Sequence, residues 1–169
     1  VLKNALDQGS RLIMLPCDQW GHCVIAPDGH PILNEPGLSL QSLARWPLIT
    51  YDPAFSGRSR INKAFERAGL EPNVVLAAID ADVIKTYVGL GLGLGIIAHM
   101  AFDPARDTGL KALDATHLFG TNTTRLGLRR GTYLRRFEYD FIELFAPQLG
   151  RKAVDMAMAG TGNQDEYQL

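Results

Sequence analysis

Cysteine is scarce. Cys17 and Cys23 are the only two in 169 residues, too few for a disulfide framework. Neither sign of charge is in excess: 17 Lys plus Arg stand against 18 Asp plus Glu. A net charge of -1 gives no global field to draw in nucleic acid or an anionic membrane. Long apolar runs are missing too. The most apolar stretch, residues 88–102, contains His99 and four glycines. It is shorter than the roughly 18 apolar residues of a spanning helix. The opening VLKNALDQGSRLIML has one lysine and no apolar core, unlike a signal peptide. These absences predict a cytoplasmic chain with no membrane association. What is present is 46% hydrophobic and 21% charged residues, the balance of an ordinary globular protein. The length suits one domain or two small lobes.

Strands and helices alternate through the middle of the chain. RLIML at 11–15 and CVIAP at 23–27 are short apolar runs, each followed or closed by proline, and read as strands. PDGHP at 27–31 is a turn. SLQSLARWP at 39–47 is a short helix that Ser39 caps and Pro47 ends. PLITYD at 47–52 is a strand. FSGRSRINKAFERAGLEP places Ile61, Ala64, Phe65 and Ala68 on one stripe of a helix. Ser56 or Ser59 is its expected cap and Gly69 its stop. VVLAAI at 74–79 reads as a strand buried on both faces. A helix over 81–90, capped by Asp80 or Asp82, turns Val83, Ile84, Tyr87 and Val88 inward. GLGLG breaks it and GIIAH forms the next strand. TTRLGLRRG at 123–131 is a strand with Leu126 and Leu128 on one face. A helix over 133–146 carries Tyr133, Phe137, Phe141, Leu144 and Phe145 toward the core, and RKAVDMAMAG forms a last short helix. The class is α/β with a largely parallel sheet.

Most motifs that suggest chemistry are explained by structure. Gly91, Gly93 and Gly95 follow a helix, whereas the dinucleotide fingerprint follows a strand and opens a helix. They read as a tight turn into a buried strand. Asp80 and Asp82 read as helix caps rather than metal ligands. Cys17, His22 and Cys23 lack the second pair that a tetrahedral zinc site needs. His99 reads as a core or cleft residue. The arginines at 125, 129, 130, 135 and 136 read as a solvated edge. No nucleophile has a recognisable base, so no catalytic residue, metal or cofactor is expected. Ser56-Gly57-Arg58-Ser59 is different. It follows a strand and opens a helix, where free N–H groups and the helix dipole favour an anion. Ser56 adds a hydroxyl, and Gly57 leaves the backbone open to close approach. Plain capping remains the other reading of the same residues.

Five segments occur in order: LPC-x-x-W at 15–20, PLITYD-x-x-FSGRS at 47–59, FERAGLEP at 65–72, DADVIKTYVGLGLGLGIIA at 80–98 and TTRLGLRRGTYLRRFEYDFIELFAP at 123–147. Together they resemble the effector-binding domain of LysR-type transcription regulators, in the CysB and Cbl branch of sulfur assimilation and cysteine biosynthesis. DADVIKTYV is a specific mark of that branch.

The resemblance implies a fold like a type 2 periplasmic binding protein, two α/β lobes with a ligand cleft between them. Residues 24–121 would form the complete second lobe, and residues 1–23 and 122–169 part of the first. It implies that the chain is a truncated regulator lacking the winged-helix DNA-binding domain and the start of the first lobe, in keeping with its first residue, Val1. The implied effector is a small anion: acetylserine, sulfate or thiosulfate. Ser56 falls where relatives carry an anion-binding threonine, with Phe55, Gly57 and Tyr51 beside it. Trp20 matches a pocket tryptophan, and Asp80 falls near the start of the second cleft-side helix. Other family ligands lie in the missing segment, and none matches near Lys3. No enzyme activity is implied. The full-length protein is expected to be a homo-oligomer that meets DNA only through a domain absent here. Two other functions fit the same residues: an interaction module that pairs with intact regulators, and a free-standing small-anion-binding protein.

Overall fold

The computed structural model describes residues 12–160, and at Ser56 the backbone alone. The expected structure before residue 12 and after residue 160 lies outside the described residues. The described residues divide into two compact units, Trp20–Asn122 and a second formed by residues 12–19 together with residues 123–160.

The first unit is built on a five-stranded sheet. Its strands are β2 (His22–Pro27), β3 (Leu48–Tyr51), β4 (Val74–Ala78), β5 (Leu94–Ala98) and β6 (Leu110–Asp114), in the spatial order β4-β3-β5-β2-β6. β3 runs parallel to both β4 and β5, whereas β2 runs antiparallel to both β5 and β6. The sheet is therefore mixed, not largely parallel. The chain leaves β2 without a long helical crossover, and only such a crossover makes a neighbouring strand parallel. The strand β6 was not anticipated.

The central strands are apolar on both faces. Val24, Ala26, Leu48, Leu94 and Ile96 face one side with Ile32, Leu43, Ile61 and Phe65. Cys23, Ile25, Ile49 and Ile97 face the other with Ile84 and Val88. The period-2 alternation thus feeds two cores at once. Helix α1 (Leu40–Leu43) is capped as expected by Ser39, whose hydroxyl accepts from Ser42 N–H at 3.1 Å. Helix α2 (Ser56–Arg67) covers the first face through Ile61 and Phe65, and stops at Gly69, whose φ is +65°. Helix α3 (Ala81–Gly89) covers the second through Ile84 and Val88. Val83 and Tyr87 do not turn inward; both are exposed. The i,i+4 pair alone reaches the sheet, and Lys85 between them pairs with Asp107 at 3.0 Å. β4 is an edge strand whose residues alternate between half-buried and exposed, so it is not buried on both faces. A single-turn α4 (Thr116–Phe119) closes the unit.

The second unit pairs β1 (Leu12–Trp20) with β7 (Asn122–Arg129) in a two-stranded sheet, followed by α5 (Arg136–Phe145) and α6 (Arg151–Ala159). β1 runs through Pro16, which a two-stranded sheet tolerates because each strand has a free edge. Leu126 and Leu128 pack against a core of Ile13, Leu15, Leu134, Ile142 and Val154. The expected aromatic face of α5 is not in that core. Tyr133, Phe137, Phe141, Leu144 and Phe145 are all exposed, Tyr133 at 87% and Leu144 at 85%. The buried side of α5 is carried by Ile142, with Leu134 and Ala146 flanking the helix. The helix begins at Arg136, after Arg135 N–H bonds the Glu138 carboxylate at 2.6 Å.

The glycines of GLGLG close the loop from α3 into β5. Gly91 adopts φ +78°. A Cβ on Gly93 would stand 2.5 Å from the Pro47 carbonyl oxygen, which itself accepts from Leu94 N–H at 2.8 Å. A Cβ on Gly95 would stand 2.5 Å from Ile25 and 2.9 Å from Val88 side-chain carbons. These glycines serve packing, as expected. Gly95→Ala should lower stability by about 1–3 kcal/mol through overpacking, and Gly93→Ala by at least as much, because a backbone oxygen cannot rotate away. Urea midpoints of the two variants against the parent check this.

Candidate functional site

The edge of the five-stranded sheet where β3, β4 and β5 end collects Tyr51, Phe55, Gly57 and Asp80. β3 ends at Tyr51 and feeds α2; β4 ends at Ala78 and feeds α3. Tyr51 and Ala78 are direct partners in the β3–β4 register, and His22 partners Ala98 at the end of β5. Both helix N-termini therefore open at the carboxyl edge of a parallel strand set, the position where open α/β sheets bind ligands.

Asp80 caps α3 by accepting from Asp82 N–H at 2.6 Å. Its carboxylate also lies near enough to Tyr51 to help raise the phenol, although burial is the larger cause. The Tyr51 hydroxyl accepts from Ala98 N–H at 3.3 Å, which ties β3 to β5. Phe55 is exposed, and its ring centroid lies 6.1 Å from that of Tyr51. Phe55, not Ser56 or Ser59, occupies the N-cap position of α2, and its side chain supplies no cap hydrogen bond. Ser56 is the first helical residue; its side chain lies outside the described atoms.

Gly57 is buried, and its surroundings explain the glycine. A Cβ there would stand 3.1 Å from His22 Nε2 and 3.6 Å from Trp20 Cη2. The space beside the backbone is thus taken by the chain's own imidazole and indole. Trp20 and His22 pack with tilted rings, centroids 5.4 Å apart, and His22 and Phe119 meet edge to face at 5.6 Å. The structure brings Trp20 and Gly57 together, and separately Tyr51, Phe55 and Asp80, along the same sheet edge.

Two residues of this edge carry roles not assigned from the sequence. Arg58 is buried, donating from its guanidinium to Tyr51 O at 2.8 Å and to Asn62 Oδ1 at 2.8 Å. It clamps the end of β3 to the first turn of α2, and burial lowers its pKa. Its sequence signal was available: an arginine inside a motif that otherwise offers small residues. His22 is fully buried, and neither ring nitrogen has a hydrogen-bond partner among the described residues. Burial, aided by nearby Arg60, lowers its pKa to about 4.

The remaining motifs sit elsewhere. Burial pushes the Cys23 thiol up to about 12, and Cys17 belongs to the other unit. Among the described residues no three His, Cys, Asp or Glu side chains converge on a metal position. His99 is exposed in a turn rather than lodged in a core or cleft, because the chain leaves the sheet at Ala98. Among the described residues no helix is long and apolar enough to cross a membrane.

Comparison with known proteins gives this edge its context. Residues 3–150 match the family model described as LysR substrate binding domain. The chain belongs to the LysR substrate-binding domain family. It is 53% identical over 151 residues to the transcriptional regulator SsuR of Burkholderia cenocepacia, covering 89% of this chain and 49% of that protein. It is 49% identical over its whole length to CysB of the same organism, covering 53% of that regulator. Among solved structures it is similar to the cofactor-binding domain of the Cbl transcriptional regulator, with a TM-score of 0.82, 41% identity, and coverage of 90% of this chain and 67% of that one. The chain spans about half the length of the curated regulators it matches. It is thus an α/β effector-binding domain of the CysB, SsuR and Cbl branch, and these relatives are transcriptional regulators.

The buried neutral His22 makes stability depend on acid. Its native pKa of about 4 lies below the unfolded value of 6.5, so folding favours the neutral ring. Its full contribution is present above pH 6.5 and is lost as pH falls from 6.5 toward 4. The loss reaches about 3 kcal/mol. Urea unfolding at pH 7.5 and 4.5 should show it, and His22→Phe should reduce the difference between the two.

Proposed function

We propose that this chain is the ligand-sensing part of a sulfur-responsive LysR-type regulator, binding a small anionic effector and catalysing nothing. Acetylserine, sulfate and thiosulfate are the effectors of choice. The observation that carries the reading is the start of α2. A twelve-residue helix opens there with Phe55, which has no capping side chain, at its N-cap, shortly after a parallel strand. Its free N–H groups and dipole favour an anion. Ser56, Gly57, Phe55, Tyr51, Trp20 and Asp80 are the proposed site residues. Residues 24–121 serve as the complete second lobe and residues 1–23 and 122–169 as part of the first. In the whole regulator, a homo-oligomer working in the cytoplasm, effector binding shifts the balance between two arrangements of the protein on DNA. DNA is met only through a segment outside this chain.

A second reading, an interaction module that pairs with intact regulators, is favoured by one feature. Phe137, Phe141 and Phe145 form an exposed aromatic face on α5, and exposed apolar faces of this kind mark interaction surfaces.

Calorimetric titration of the chain with each of the three anions tests the first reading. Saturable binding on the order of millimolar is expected, because part of the anion's ligand set lies in a segment of the regulator beyond this chain. Failure of all three to saturate would overturn the reading, and tight binding would show that the site here is complete. In a mobility-shift assay the chain alone should not retain a promoter fragment once salt is raised, since counterion release weakens non-specific contacts first.

A further inference from the structure

His22 is wholly buried, yet among the described residues neither Nδ1 nor Nε2 has a hydrogen-bond partner. A neutral imidazole keeps one N–H donor and one lone pair. Buried polar groups are normally satisfied, so an orphan of this kind calls for a partner. The fold does not need the polarity. The neighbours of the ring are Trp20, Phe119 and the bare backbone of Gly57, and an apolar ring would fill the same volume. The charged group that acts on it is Arg60 of α2, which disfavours a second positive charge and so supports the neutral form.

The direction of the ring matters. Nε2 lies 3.1 Å from where a Gly57 Cβ would stand. Gly57 is the second residue of α2, and the Cβ positions of a helix lean toward its N-terminus. Nε2 therefore borders the turn that the N-cap residue Phe55 leaves without a side-chain cap of its own. A helix start that favours an anion and a buried ring with no partner among the described residues meet at one place.

We propose that His22 is a specificity-determining residue of the site at the start of α2, its neutral imidazole donating from Nε2 to a small oxyanion held on the backbone N–H groups of that turn. The inference rests on the effector-binding reading above. With backbone N–H groups and an imidazole N–H as donors, the site takes an anion that carries no acidic proton: a carboxylate or a fully ionised sulfur oxyanion. Gly57 is then required for a definite reason, since any side chain would displace Nε2 from the turn.

The test is a long-range proton–nitrogen NMR spectrum of the full chain with ¹⁵N-labelled histidine, at pH 7. Sodium sulfate and acetylserine are titrated separately, with sodium chloride at matched ionic strength as the control. His22 should be a neutral Nε2–H tautomer whose signals shift saturably with at least one oxyanion and not with chloride. His30, His99 and His117 should stay still. A shift with sulfate alone assigns a sulfur oxyanion, and a shift with acetylserine alone assigns a carboxylate. His22→Phe should weaken binding about tenfold while the melting temperature holds or rises, because an unsatisfied group has left the core. His22→Gln, whose amide can donate, should recover part of the affinity. Saturable binding that leaves the His22 signals unmoved overturns the His22 assignment and leaves the effector-binding reading intact. So does a His22→Phe variant with parental affinity. No saturable change with either oxyanion overturns both. If His22→Phe does not fold, the parental spectra decide alone.

Discussion

Everything in the larger unit depends on three strands, β2, β3 and β5, being covered on both faces. Cys23 and Ile25 point one way and Val24 and Ala26 the other; Leu48 and Ile49 divide likewise, as do Ile96 and Ile97. Two faces demand two covers, so α2 and α3 lie on opposite sides of the sheet. Both follow strands that run the same way, which opens their N-termini at the same sheet edge. The candidate site is a by-product of that demand. The first turns of both helices stand at that edge because the apolar side chains of the strands need covers on both faces.

Much of this was legible in the sequence, because it is written in periodicity. Ile61 with Phe65, and Ile84 with Val88, marked the buried stripes of α2 and α3 correctly, and Ser39, Asp80 and Gly69 marked helix ends by chemistry local to them. The family was legible from ordered segments, and the comparisons agree with it. Less was legible where the signal is short or shared. β6 spans five residues and includes Lys111, and α4 is one turn, so neither has a period to read. Helix α5 has apolar residues on two sides. A sequence shows that Phe137 and Phe141 share a face; it does not show that the core sits against Ile142 instead.

The candidate site divides in the same way. Its position could be read from a strand followed by FSGRS. Its inner side could not. His22 stood out as part of a cysteine–histidine cluster, but Cys17 and Cys23 fall in separate units, and His22 gains its meaning from Gly57, far away in sequence. Arg58 similarly looked like part of an anion-binding loop, yet it spends its donors on Tyr51 and Asn62. The polarity of these groups is visible in sequence, whereas what each one faces is a property of the fold.

The chain has two tryptophans, and each stands against an imidazole: Trp20 beside His22 at 5.4 Å between centroids, and Trp46 beside His30 at 4.5 Å. Burial holds both histidines neutral further into acid than an exposed ring. An imidazolium ring quenches a neighbouring indole and a neutral one does so far less. The intrinsic fluorescence of this protein is therefore a two-channel record of histidine charge, one channel at the candidate site and the other beneath the turn that leads to α1.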